Sequence, residues 1–283
     1  MDSRQGYMNL QTQYIWQVCE TKLPELKFKL RHPQSHLGTK EQFTSKLIEN
    51  RIKASGIAKA YNDWFTQLYS TDQKVLVLPI EGDMCREGTW YNYGNEFLIR
   101  QLNAAAQDQD YVGAVLKANS GGGTADSTPA LAQAVANFNK VKPIVASANY
   151  AASACLYVIS QASEIFIEPQ AASSMGSIGT LLIYENYKKW LEQEGIDMEI
   201  MRAKGSEDKA RVNGIEDLTS EARAGLQAML DQCQKEFAGA VKRGRAGKIT
   251  SNEVFTGKMY NATDAVRLGL ADNKGDLQSA VKR

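Results

Sequence analysis

An α/β fold around a parallel sheet is what this sequence predicts, on three observations. Apolar runs without polar alternation recur at Lys74-Val75-Leu76-Val77-Leu78-Pro79-Ile80, Tyr111-Val112-Gly113-Ala114-Val115-Leu116-Lys117, Ile144-Val145-Ala146 and Glu164-Ile165-Phe166-Ile167, and continuous apolar strands belong to sheets covered on both faces. Helix-like segments stand between them, at Glu96 to Asn103 and Thr128 to Lys140, and that alternation implies right-handed βαβ crossovers. Loops of small residues follow the strand ends, most conspicuously Ser147-Ala148-Asn149-Tyr150-Ala151-Ala152-Ser153-Ala154-Cys155.

The bulk properties set the class. A chain of 283 residues has room for one large or two modest domains. Its 43% hydrophobic and 23% charged residues are ordinary for a globular protein. A net charge of +1 gives no reason to expect a nucleic-acid or membrane-surface partner. The apolar runs are too short to span a bilayer, and the first residues lack the apolar core of a secretory signal, so no membrane anchor and a cytoplasmic setting are expected. Cys19, Cys85, Cys155 and Cys233 lie far apart with no CxxC pair, which argues against a disulfide framework or a zinc site. Neither a metal nor a cofactor is expected.

In chain order, residues 1–72 form a polar arm broken near His32-Pro33. Helix-like patches flank the break: Tyr14, Ile15, Val18 and Cys19, then apolar residues at three- and four-residue spacing that predict an amphipathic helix from about Lys40 to Tyr69. The first strand is expected to end at Glu81-Gly82-Asp83, and the second to run into a turn at Asn119-Ser120-Gly121-Gly122-Gly123. That glycine run carries neither the Lys-Ser/Thr of a phosphate loop nor G-x-G-x-x-G. Its backbone N–H groups are unobstructed by Cβ atoms, as an oxyanion site requires, although the same residues also make a plain turn. Further on come the loop Pro169 to Thr180, a helix Tyr187 to Glu194, a strand Asp197 to Arg202, a long helix from Ser220 to about Arg243 capped at Thr219 or Ser220, and a last helix Ala262 to Leu268.

Ser153 stands between a strand and a helix, where a hydroxyl can serve as a nucleophile; small residues there also simply let a helix pack close to a sheet. The two histidines, His32 and His36, both lie in the polar arm, so a Ser-His-Asp triad has no imidazole near the core. A base for Ser153 must then be a lysine or a carboxylate, and Lys204 and Lys209, in a loop after a strand, are the candidates. Cys155 reads as a small core residue.

Taken in order, these blocks resemble the signal peptide peptidase A family of serine peptidases, within the Clp protease/crotonase superfamily. Val77-Leu78-Pro79-Ile80-Glu81-Gly82 is similar to the family's first core strand, and Asn119-Ser120-Gly121-Gly122-Gly123 to its Asn-Ser-Pro-Gly-Gly turn, with glycine in place of proline. Ala151-Ala152-Ser153-Ala154-Cys155-Leu156-Tyr157 resembles the nucleophile block Ala-Ala-Ser-Gly-Gly-Tyr-Tyr, with Ala154-Cys155 in place of Gly-Gly. Met175-Gly176-Ser177-Ile178-Gly179 matches Thr-Gly-Ser-Ile-Gly, and Lys204-Gly205-Ser206-Glu207-Asp208-Lys209 is a looser match to Lys-Ser-Gly-x-x-Lys.

The resemblance implies a Clp protease/crotonase-like fold of repeated ββα/βαβ units over residues 73–283, behind a helical N-terminal extension over 1–72. It implies Ser153 as nucleophile, Lys209 as general base, Ser177 hydrogen-bonded to the lysine amine, and the amides of Gly122 or Gly123 and of Ala154 as the oxyanion hole. It further implies a homo-oligomer acting on protein or peptide substrates, with phage capsid or scaffold proteins the expected ones, in the bacterial host cytoplasm or the phage procapsid. The alternatives are a soluble signal-peptide-peptidase-like enzyme and a catalytically inactive crotonase-like scaffold or acyl-CoA binder.

Overall fold

The computed structural model describes residues 16–18, 74–88 and 92–283, the first three by backbone alone. The helix expected from Lys40 to Tyr69, and the boundary between residues 72 and 73, lie outside the described residues. Three residues of the arm's first helix-like patch are described, and they form a strand, β1 (Trp16–Val18).

From residue 74 on, strands and helices alternate as the apolar runs require: β2 (Lys74–Met84), α1 (Asn95–Gln107), β3 (Tyr111–Thr124), α2 (Thr128–Asn139), β4 (Ile144–Ala152), α3 (Ala154–Ile159) and β5 (Glu164–Ile167). Then follow β6 (Ser174–Gly176), α4 (Lys188–Gln193), α5 (Ser220–Gly244), a 3₁₀ turn (Asn252–Thr256), β7 (Met259–Asn261), α6 (Ala262–Arg267), β8 (Asn273–Lys274) and α7 (Leu277–Val281). β2, β3, β4 and β5 pair in parallel, and β6 continues alongside the last residues of β4. The sheet is buried on both faces. Leu76, Leu78, Leu116, Ile144 and Ile165 pack with Leu102, Leu131 and Phe138 of α1 and α2 and with Phe237 of α5, while Val77, Val115 and Val145 point to the other side, under α7.

Four expectations need correcting. β2 does not stop at Glu81 but continues to Met84, and β3 runs through the glycines to Thr124, so Asn119–Gly123 is strand and not turn. The two extensions hold each other, with Asp83 opposite Gly122 and Met84 opposite Gly123. Likewise Ser147–Ala152 belongs to β4, paired with β3 on one side and, at its end, with β6 on the other; Ala148, Ala151 and Ala152 are fully buried. The strand expected at Asp197–Arg202 is irregular backbone. Among the described residues it has no sheet neighbour, and Met201 is 87% exposed, with Met198 and, just before the run, Ile196 exposed as well.

Two features brace the frame behind the site. α5 begins at Thr219, whose hydroxyl accepts from the Ala222 amide at 3.1 Å, and it docks through Phe237, stacked on Tyr157 of α3 at 4.9 Å. Arg245, just past α5, has a completely buried side chain; its Nη1 meets Asp272 Oδ2 at 2.7 Å and its Nε donates to the Gly269 carbonyl at 2.9 Å. The same Asp272 carboxylate accepts from the Ile165 amide of β5 and pairs with Lys248, so one charge cluster ties the closing segment to the sheet.

Candidate active site

The carboxyl ends of β3 and β4 build the site. The last β3–β4 pair is Ser120 opposite Ala151, and two residues further along each strand stand Gly122 and Ser153. Both therefore lie just past the last rung of the β3–β4 ladder, on the two strands between which the pairing ends. Ser153 is the N-cap of α3 with φ 55° and ψ −120°, the left-handed first corner of a type II′ turn, which a residue with a Cβ rarely adopts. The turn is held from both sides. The Ser153 amide donates to the Gly176 carbonyl at 2.9 Å, and its carbonyl accepts from the Tyr157 amide at 2.9 Å. A strained serine between a strand and a helix is the arrangement that presents a nucleophilic hydroxyl in unrelated hydrolases.

Ser153 is wholly buried, and its Oγ donates to the Gly179 carbonyl at 3.5 Å. Ser177, two residues before that carbonyl, is also held at positive φ (56°), with its amide donating to the Lys258 carbonyl at 2.7 Å. Gly176 has to be glycine: its φ is +147°, and a Cβ there would lie 2.3 Å from the Lys258 carbonyl oxygen. The structure thus brings Ser153 and the Met175–Gly179 block together, as the motif order implied.

On the facing strand, Gly122 has φ +95°, and its amide donates to Ser120 Oγ at 3.1 Å, while the Ser120 hydroxyl donates to the Gly82 carbonyl at 2.5 Å. Gly123 is pressed against β2, where a Cβ would lie 1.7 Å from the Met84 carbonyl oxygen. Beyond it, Asp126 accepts from Thr124 Oγ1 at 2.6 Å and pairs with Arg86 at 3.0 Å, pinning the end of β3. Ala154 opens α3, where the first amides have no intrahelical acceptor.

Lys204 and Lys209 are both exposed, and among the described residues neither is in hydrogen-bond contact with Ser153. Yet the turn carrying Lys209 is well defined. Arg202 donates from Nε to the Lys209 carbonyl at 2.6 Å and from Nη2 to the Ala210 carbonyl at 3.0 Å, and it is paired with Glu216 at 2.6 Å. Asn213 completes this platform, donating to Glu216 Oε2 and to the same Ala210 carbonyl. Ala210 itself sits at φ 56°. The Glu216 carboxyl is held below its usual range, chiefly by the Arg202 hydrogen bonds.

Neither Arg202 nor two buried polar atoms near Ser153 stood out in the sequence. Thr180 Oγ1 and Gln234 Oε1 lack hydrogen-bond partners, and Gln234 Nε2 reaches the Ile178 carbonyl at 3.5 Å. Thr180, Arg202 and Gln234 all lie far along the chain from Ser153, so no local pattern marks them. Cys155 is buried completely, and burial pushes its thiol up to about 12, which removes it as a nucleophile. Among the described residues no group of three His, Cys, Asp or Glu side chains is placed to hold a metal ion, and no helix is long and apolar enough to cross a membrane.

Comparison with known proteins decides the family. The profile described as peptidase family S49 matches residues 136–283, which include Ser153, Ser177 and Lys209. The chain belongs to peptidase family S49. Among S49 relatives, Protease 4 of Haemophilus influenzae is 24% identical over 232 residues, covering 79% of this chain and 37% of that one. The Capsid assembly protease C of Escherichia phage lambda is 26% identical over 218 residues, covering 75% of this chain and 49% of the phage protein. This S49 chain therefore spans half or less of the length of these two relatives. Among solved structures, a membrane-bound stomatin-specific protease aligns with a TM-score of 0.42 at 15% identity, over 75% of this chain and 84% of that chain.

Proposed function

We propose that this S49 chain is a serine endopeptidase in which Ser153 attacks the peptide carbonyl and Lys209 is its base. The observation that carries the proposal is the strained backbone of Ser153 at the β4–α3 junction, just past the last rung shared with the glycine-rich end of β3. Ser153 Oγ adds to the carbonyl carbon as its proton passes to the neutral lysine amine. The amides of Gly123 and Ala154 take the oxyanion, with that of Gly122 beside them. The ammonium returns the proton to the leaving amine, and water repeats the sequence on the acyl-enzyme. Ser177 holds the amine on the far side.

Because Lys209 is exposed and out of contact with Ser153 of its own chain, we assign the base to a neighbouring copy in a homo-oligomer. Apolar side chains left open in the segment before Lys209 support this: Trp190, Ile196, Met198 and Met201 are all exposed. The substrates we assign are capsid or scaffold proteins during phage head maturation, in the host cytoplasm or the procapsid, a reading supported by the similarity to the phage lambda protein.

Two inactive variants test the pairing. Ser153→Ala and Lys209→Ala, purified separately, are each expected to lose peptide cleavage and, once mixed and allowed to exchange subunits, to recover part of it. If Lys209→Ala cleaves at the wild-type rate, the base is another group. If the wild type neither cleaves peptides nor reacts with a fluorophosphonate probe, the peptidase proposal falls and the inactive-scaffold alternative replaces it.

A further inference from the structure

A β-strand has two hydrogen-bonding edges, and the last residues of β3 use theirs differently. One edge carries β2 in parallel as far as Asp83 opposite Gly122 and Met84 opposite Gly123. The other edge carries β4, but only as far as Ser120 opposite Ala151. β4 then pairs with β6 and turns at Ser153, leaving the β3 edge at Gly122–Thr124 without it. β1 takes that vacated place, antiparallel, with Trp16 opposite Thr124, Gln17 opposite Gly123 and Val18 opposite Gly122. With β2 on one side, β1 must lie on the side of β4. The extended backbone of residues 16–18 thus runs through the gap between the glycine end of β3 and the Ser153 turn. Gly122, the partner of Val18, and Ser153 each stand two residues past that last β3–β4 rung.

We propose that this edge accepts one extended peptide backbone at a time, and that residues 16–18 are its built-in occupant, competing with substrate for the same hydrogen bonds. The inference rests on the peptidase proposal for the identity of the competitor, but its geometry does not. Pairing with a free strand edge is a general way to bind an extended peptide, because main-chain hydrogen bonds supply the affinity whatever the side chains. The glycines suit such an edge, since no Cβ stands between the incoming backbone and the site. The complete burial of Ser153 fits a cleft already filled: a substrate carbonyl reaches the hydroxyl only after something leaves. An internal occupant present in nine molecules out of ten weakens the apparent affinity for an outside peptide about tenfold.

The test uses the full chain and a fluorescein-labelled peptide with the sequence of residues 10–24 as probe. In the antiparallel register either the Gln17 amide or its neighbours face β3, so Gln17→Pro and Val18→Pro are made separately, and one of them removes a β3-facing donor. Binding is read by fluorescence anisotropy in a Ser153→Ala background, where no cleavage can occur. The expected result is about tenfold tighter binding in at least one proline variant. With Ser153 intact, the same variant reacts faster with a fluorophosphonate probe. Equal peptide affinity in both proline variants and the parent overturns the proposal, even if the parent is an active peptidase. Tighter binding without any probe reaction or cleavage upholds the occupied edge and sinks the peptidase reading instead.

Discussion

Replacing Asp272 by Asn tests how the closing segment is held. The carboxylate accepts from Arg245 Nη1 and the Ile165 amide at 2.7 Å each and pairs with Lys248 at 2.7 Å. Arg245 has no exposed side-chain surface, and its Nη2 already lacks a partner, so the lost charge cannot be replaced by water without opening the fold. Removing one member of a buried ion pair costs about 3–5 kcal/mol. At roughly 2–4 °C per kcal/mol for a domain of this size, Asp272→Asn should melt about 6–20 °C lower at pH 7. Circular dichroism melting measures it, with peptide cleavage at low temperature as the control for an intact site. Burial alone would raise the Asp272 pKa, but the hydrogen bonds from Arg245 and Lys248 outweigh it and hold it below the ordinary value. A carboxylate lowered in the folded state contributes stability above the ordinary carboxylate pKa of about 4 and loses it as pH falls through the lower folded value. The gap between wild type and variant should therefore narrow in acid. Adding Arg245→Met to the variant should restore most of the loss, since two matched charges are removed together. A single variant melting within about 2 °C of wild type, or a double variant no better than the single one, refutes the reasoning.

Three other perturbations probe the site itself. Arg202→Ala removes the fork on the Lys209 and Ala210 carbonyls, and should lower kcat about 10- to 100-fold while moving the melting temperature little, because the pair with Glu216 is partly exposed; unchanged kcat would detach that turn from catalysis. Gly123→Ala places a methyl group 1.7 Å from the Met84 carbonyl oxygen and must push β3 away from β2, so cleavage should fall by about 10²-fold or more in whatever fraction still folds. Cys155, buried and raised to about 12, should resist maleimide at pH 8 in the native protein and react only in denaturant; native labelling at Cys155, located by peptide mass mapping, would contradict the packing of α3.

The parallel strands were legible because buried ones announce themselves as apolar runs, and β2, β3, β4 and β5 all begin where those runs begin. Their ends were not. Gly82, Gly121–Gly123 and Ala148–Ala152 look like breakers, but the partner strand keeps them extended, and that partner is remote in sequence. The Asp197–Arg202 run failed for the opposite reason: its composition suits a strand, but among the described residues no neighbour offers an edge. Motif order singled out Ser153 and Ser177, and both stand at positive φ, a backbone state that no residue pattern announces. The Arg202 platform was invisible, since it joins backbone carbonyls that any residue types would supply.

The conformation of Ser153 carries a cost for the resting protein. Glycine would adopt the same corner without strain, so Ser153→Gly should fold more stably than the wild type by about 1 kcal/mol or more. Mutational drift at this codon is then not neutral toward the fold. Under the proposed nucleophilic role, loss of the hydroxyl yields a hardier inert chain, and selection for that chemistry is what keeps the weaker residue in place.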